Sequence, residues 1–404
     1  MALFFAGIAT FAQLYSPQAV LPRIAAEYRV DAASSALVIS AATIGLAVGV
    51  IPWSAVADRI GRVRAMSIAV AAATVFGLFV PFAPNFTLLL TGRTLEGLMI
   101  GGVPAIAVAY LTEEIEPRNA ARAAGTYVAG TTIGGLAGRL IAGPIADFAS
   151  WRIGVLVAAI VCSAAAIAFI TLAPASRGFE PNRGRAHPDG SLRRRLMSNL
   201  ANRKLLALYA QAFLLMGGFV ALYNFLGFRL AASPFGLPES VVSLVFVAYL
   251  AGTWSSAQAG TLAARVGRWP VLTGATLVMI AGVLLTLAPA IPLVLIGLVI
   301  ATTGFFAAHA IASGWTGAIS TIGRAQASSL YNFFYYAGSS LFGWLGGVLF
   351  VTYGWAGTSV MIISIAVIAV VLSGVILIGS PGSRTQPLGD NSGPLEFDEG
   401  RTRP

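Results

Sequence analysis

Charge is what this chain lacks most. Of 404 residues only 10% are Asp, Glu, Lys or Arg, while 57% are hydrophobic and the mean hydropathy is +0.83. Soluble domains carry roughly 25% charged residues, so too few polar side chains exist here to cover a water-facing surface. Lysine is nearly absent: Lys204 stands alone and the other 24 basic residues are arginines. A single cysteine, Cys162, inside an apolar run excludes an intramolecular disulfide framework. Two histidines, His187 and His309, are too few and too separated for a histidine metal cluster. There is no Gly-x4-Gly-Lys-Ser/Thr phosphate loop and no Ser/His/Asp or metal-ligand spacing. The chain therefore reads as neither an enzyme nor an ATP-driven pump, with no metal and no bound cofactor expected.

What is present is apolar sequence in runs long enough to cross a bilayer, which takes about 20 residues per helix. Twelve spans are expected: 2–22, 35–57, 65–83, 86–111, 121–147, 152–174, 205–229, 239–260, 270–289, 291–313, 325–350 and 356–379. They divide into an N-terminal six-helix bundle (1–174) and a C-terminal one (205–380), with a polar linker at 175–204 and a disordered tail at 381–404. The apolar start Met1-Ala-Leu-Phe-Phe has no basic region before it, so a cleaved signal peptide is not expected; a trimmed or mis-assigned start is left open.

Orientation follows from arginine counts. With both termini in the cytoplasm, inner segments hold nineteen basic residues. Outer loops hold four: Arg23, Arg29, Arg152 and Arg229. The net charge of +10 is thus a topology signal and a contact with anionic lipid, not a nucleic-acid footprint. Arg93 and Arg139 remain inside spans.

The two halves repeat. Ser54-x3-Asp58-Arg59-x-Gly61-Arg62 follows span two, and Gly260-x3-Ala264-Arg265-x-Gly267-Arg268 follows span eight, 206 residues later. Trp151 and Trp355 are offset by 204 residues, as are Gly134 and Gly338. A duplicated six-helix unit is a transporter plan, with substrate held between the halves.

The six-plus-six plan, the loop Asp58-Arg59-Ile60-Gly61-Arg62, Arg93-Thr-Leu-Glu96-Gly97 in span four and the glycine ladder of span five together resemble the major facilitator superfamily. Trp254-Ser-Ser, Phe305-Phe-Ala-Ala-His309 and Gln326-Ala-Ser-Ser-Leu-Tyr331 resemble more narrowly its acriflavine-sensitivity (YnfM-type) branch. The resemblance covers about residues 10 to 380. It implies alternating-access transport, usually driven by an ion gradient, by a monomer in the cell (inner or plasma) membrane. Asp58, Arg59, Gly61 and Arg62 would then form a cytoplasmic charge latch, with Arg118 or Arg122 as partners. Its alternative is a solvated topology loop. Four positions depart from the family pattern: Ser54 and Glu96 replace the usual glycine and glutamine, Ala264 replaces the acid in the second loop, and Gly135 stands where proline is common.

Among fifteen acidic residues, only Glu96 lies well inside an apolar run. A carboxylate there must be neutral, paired or hydrated. Arg93, three residues earlier, shares its helix face, and Arg139 on the next span is within possible reach. Glu96 with Arg93 and Arg139 reads either as a proton-coupling group or as a fixed structural pair; the arginines alternatively bind an anionic substrate. Glycines four apart at Gly130, Gly134 and Gly138 point to close helix packing; the partial resemblance of span five to the family's antiporter motif implies antiport, with a close-packed helix found in any transporter as the alternative. Candidate substrate contacts are Gln13 and Tyr15 in span one, Tyr209, Phe213, Tyr223 and Asn224 in span seven, His309 in span ten, and Tyr331, Asn332 and Tyr335 in span eleven. Aromatic surface with few polar groups suits an aromatic or amphipathic ligand, although most such rings serve packing. The expected function is proton-coupled efflux of small amphipathic or aromatic compounds, run by the proton gradient. Uptake or exchange of a small organic anion or sugar is the alternative; a non-transporting scaffold is a third.

Overall fold

The computed structural model describes residues 1–113, 117–174 and 191–379. Residues 175–190 of the expected linker and the expected tail lie outside the described residues. Every described element is helical, as a lipid setting demands, because only a helix closes all of its own backbone hydrogen bonds. Among the described residues, eight continuous helical stretches are by themselves long and apolar enough to cross a membrane; the last, Arg324–Leu377, is two spans. These two join at Gly354, whose φ of 62° turns the chain without a loop. Spans one, four and five complete the twelve: Ala2–Tyr15 continued by a 3-10 turn at Ser16–Val20, Phe86–Ile100 with Pro104–Glu113, and Pro117–Phe148.

Span ends are set by local chemistry. Side chains of Asp31, Asn85, Ser150 and Asn202 accept hydrogen bonds from the first free amides of the helices they precede. Span four breaks after Ile100, where two glycines precede Val103 and Pro104. Span eight is not uniform: Glu239–Val242 and Tyr249–Val266 flank a 3-10 segment, Ser243–Ala248. The linker differs from a featureless strap. Its end, Leu192–Ala201, is a helix, and the Asn199 amide nitrogen donates to the Ile322 carbonyl at 3.0 Å, docking that helix beside span eleven.

Glycines set how closely the spans approach. A Cβ at Gly134 would sit 2.7 Å from the Ile8 Cα, and Gly130 and Gly138 face the backbones of Phe4 and Ala12. Spans one and five therefore pack as one ladder. In the second half Gly338 meets the Phe213 backbone, so spans seven and eleven repeat the contact. The loop copies match as well, with Gly61 at φ 96°, ψ 151° and Gly267 at φ 95°, ψ 162°, conformations in practice reserved for glycine. The fold is two pseudo-symmetric six-helix bundles.

Candidate functional site

The halves meet along spans one, two and five on one side and seven, eight and eleven on the other. Hydrogen bonds join Ser40 and Thr43 to Ser340 at 2.9 and 2.8 Å. Toward the arginine-poor end a tighter seal appears. Arg23 donates to Asp147 at 3.1 Å in its own half and to Glu239 at 2.9 Å in the other, while the Ser240 amide donates to Asp147 at 2.7 Å. Gly143 lies against Ser243 just beneath. One guanidinium thus clamps two carboxylates from opposite bundles.

Arg139 occupies the centre of the junction. It lies eight residues from Asp147, about 12 Å along the helix, and is only 1% exposed. Its Nε and Nη2 both donate to Gln18 Oε1, at 2.8 and 2.6 Å. Nη1 donates to the Gly135 carbonyl at 2.6 Å and Nη2 also to the Tyr249 hydroxyl at 3.2 Å. Rings of Tyr15, Phe246 and Tyr249 surround the guanidinium at 4.4, 4.7 and 4.8 Å. Gln18 in turn donates to Asn224 Oδ1 at 2.6 Å in the second bundle. The two 3-10 segments, in spans one and eight, are what bring Gln18 and Phe246 to this point.

From Arg139 a chain of rings leads into the second half. Tyr249 lies 4.9 Å from Tyr223, Tyr223 5.0 Å from Phe219, and Phe219 stacks on Phe305 at 3.9 Å. Phe305 is stacked 5.9 Å from His309, which lies 4.7 Å from Tyr335 and whose Nδ1 is 3.0 Å from the Tyr331 hydroxyl. Tyr223 is further fixed by a 2.7 Å hydrogen bond to Thr302.

Glu96 and Arg93 form a separate centre inside the first bundle. Their ion pair is 2.6 Å long and both side chains are 1% exposed. Arg93 also donates to the carbonyls of Val38, Gln13 and Leu14, at 3.1, 3.3 and 2.5 Å. Arg139, expected within reach of Glu96, instead spends its nitrogens on Gln18, Gly135 and Tyr249. The reason is rotational: its face of span five turns to the other bundle, while Glu96 points into its own.

The remaining expectations separate in the same way. Tyr15, Tyr223, Asn224, His309, Tyr331 and Tyr335 come together at the junction or along its ring chain. Gln13 does not, since its amide donates to the Ala73 carbonyl at 2.5 Å within the first bundle. Tyr209 stacks on Phe334 at 5.5 Å and Phe213 packs edge-on to Phe342 at 5.3 Å. Asn332 is half-buried. In the loop motif Asp58 accepts from Arg62 at 2.6 Å, four residues along the chain, and Arg59 is the last-turn cation of its helix. Side chains of Arg118 and Arg122 lie outside the described residues. Reasoning from sequence missed Gln18, Arg23, Glu239, Phe246 and Tyr249; the signal for Gln18 was its 206-residue offset from Asn224.

Two matched helical bundles with a polar and aromatic seam between them have the build of a secondary transporter. The sequence profile described as Major Facilitator Superfamily matches residues 3–231. The Escherichia coli (strain K12) inner membrane transport protein YnfM is 41% identical over 92% of this chain and 88% of its own length. The uncharacterized MFS-type transporter YybF of Bacillus subtilis (strain 168) is 36% identical over 93% of this chain and 92% of its own. Among solved structures, a bacterial homologue of the human lysosomal transporter Spinster superposes with a TM-score of 0.75 at 18% identity. That match covers 96% of this chain and 97% of the other. The nucleoside transporter NupG gives 0.75 at 11% identity, over 93% and 99%. This chain belongs to the Major Facilitator Superfamily: it is a multi-pass membrane protein and a secondary transporter, not an enzyme.

Proposed function

We propose that the chain exports small aromatic or amphipathic compounds in exchange for protons, by alternating access across the inner membrane. The observation that carries this reading is the ring chain that starts at the seam with Tyr15 and Tyr249 around Arg139 and runs on into the second bundle to His309, with the Arg23 clamp shutting one end of the seam. Such a path gives flat apolar ligands contact area with few polar demands. The count of nineteen basic residues against four supports reading the clamped end as the outer one, and the state as closed outward. The inner-membrane setting draws on the name of the 41% identical relative.

Glu96 is the proton site in this reading, with Arg93 rather than Arg139 as its tuning partner. A carboxylate paired at 2.6 Å and shut away from water binds a proton only when the pair loosens, and a rocking first bundle supplies that change. Asp58 and Arg62 are the inner latch, the working unit is a monomer, and the proton gradient takes the place of a cofactor.

The test is substrate-linked proton movement in proteoliposomes, wild type against Glu96→Gln, over dyes, antibiotics, sugars and organic acids. Dye-driven proton counterflow that disappears in Glu96→Gln is expected. Proton co-movement with an acid or sugar reverses the direction, and coupling that persists in the variant removes Glu96 from the role. Asp58→Asn is expected to slow turnover with expression intact.

A further inference from the structure

We propose that Arg139 is an anion-reading subsite, and that the substrates join an aromatic or apolar body to one carboxylate-like group. This rests on the transport reading above and narrows its substrate class. The starting point is an imbalance of charge. Arg93 is buried with Glu96, and Arg23 is bound by Asp147 and Glu239. Arg139 is buried as deeply as Arg93, yet its partners are an amide oxygen, a backbone carbonyl and a phenol, all neutral. A guanidinium taken out of water without a counter-charge is expensive, and an apolar side chain would pack the same space at lower cost.

The geometry says what the missing charge looks like. Nε and Nη2 form the edge of the guanidinium that matches the two oxygens of a carboxylate. Here both converge on a single oxygen, Gln18 Oε1. Gln18 therefore holds the place of an anion with half the acceptors. Its neighbour Asn224 has a buried Nδ2 with no hydrogen-bond partner, a second donor in the same relay. Three rings at 4.4 to 4.8 Å keep water from the guanidinium, which strengthens its attraction for an incoming anion. The ring chain through Tyr249, Tyr223 and Phe219 then receives the apolar body.

Other charges along the path do not compete. Arg93 has its nitrogens on Glu96 and three carbonyls. Among the described residues, the carboxylates near the junction are Asp147 and Glu239, both held by Arg23. An organic cation finds no free anion there.

The experiment uses full-length protein in lipid nanodiscs and three probes on one ring system: 2-naphthoate, 2-naphthamide and 2-naphthylmethylammonium. Binding is read from the concentration dependence of thermal unfolding. Naphthoate is expected to bind at least about 10-fold tighter than either analogue. Arg139→Gln is expected to abolish that preference, bringing naphthoate down to the affinity of the amide. Should Arg139→Gln not fold, Gln18→Glu supplies the test: it sets a resident carboxylate on the guanidinium and is expected to block naphthoate selectively. Equal affinity for the three probes, no binding of any of them, or a preference surviving in the folded variants overturns the subsite. Flux of neutral or cationic compounds without anion preference also sinks the subsite and leaves transport standing. Anion binding without any flux does the reverse.

Discussion

Gln18 and Asn224 meet across the junction at 2.6 Å, 206 residues apart, the separation that relates the two loop motifs. They occupy corresponding places in the two bundles and hydrogen-bond to one another over the pseudo-two-fold axis. Their surroundings are not equivalent. Gln18 receives Arg139, whereas the position 204 residues on from Arg139 is Gly343, and the space beside it holds the unpartnered Asn224 Nδ2.

Asn224→Val removes this bridge and its unused donor. A neutral hydrogen bond contributes about 0.5–1.5 kcal/mol net, so the outward-open population is expected to rise roughly 2- to 10-fold. Spin labels at Ser34 and Ser233, on a Cys162→Ser background, would report it as a growing long-distance component. An unchanged distance distribution would mean that the bridge does not hold the closed state.

Arg23→Gln takes the clamp from Asp147 and Glu239 together. The Arg23 side chain is 49% exposed, so each contact is worth about 1 kcal/mol or less. Two like charges are then left facing each other. The same label pair should open further than in Asn224→Val, and more at low than at high ionic strength. Salt-independent opening would argue against an electrostatic clamp.

Arg93 and Glu96 should be strongly non-additive. Arg93→Met strands a buried carboxylate and vacates three carbonyls, an expected cost of about 3–5 kcal/mol, visible as a lower unfolding temperature and poor yield. Adding Glu96→Gln should recover a large part of it. Additive losses in the double variant would show that the two groups do not act as a pair.

The architecture was legible because lipid leaves few options: a run of about 20 apolar residues has to be a helix. Spacing also announced Asp58 with Arg62 and the Gly134/Gly338 pair. The site was only half legible. Periodicity placed Tyr15, Tyr223 and Asn224 on spans but not the faces they use, and the position of Arg139 depends on the rotation of span five. Gln18 and Phe246 reach the site through 3-10 turns, where a 3.6-residue repeat points the wrong way. Arg23 and Glu239 looked like loop and span-end charges, and only the closing of the two bundles makes them a clamp.

Gly134→Leu drives a side chain into the span-one backbone and should abolish most folded protein. Gly125→Leu, with nothing among the described residues within 4 Å of its Cβ position, is the matched control and should express normally. Equal behaviour of the two in a size-exclusion assay would contradict the ladder contact.

Arginine at 139 with glycine at the related position 343 makes the two flanks of the seam unequal for whatever enters. A seam with a cation on one flank and none on the other has a head and a tail. An elongated molecule with one anionic end is then expected to settle there in a single sense, its two ends meeting different walls. Arginines placed symmetrically on both flanks would instead accept the same guest either way round.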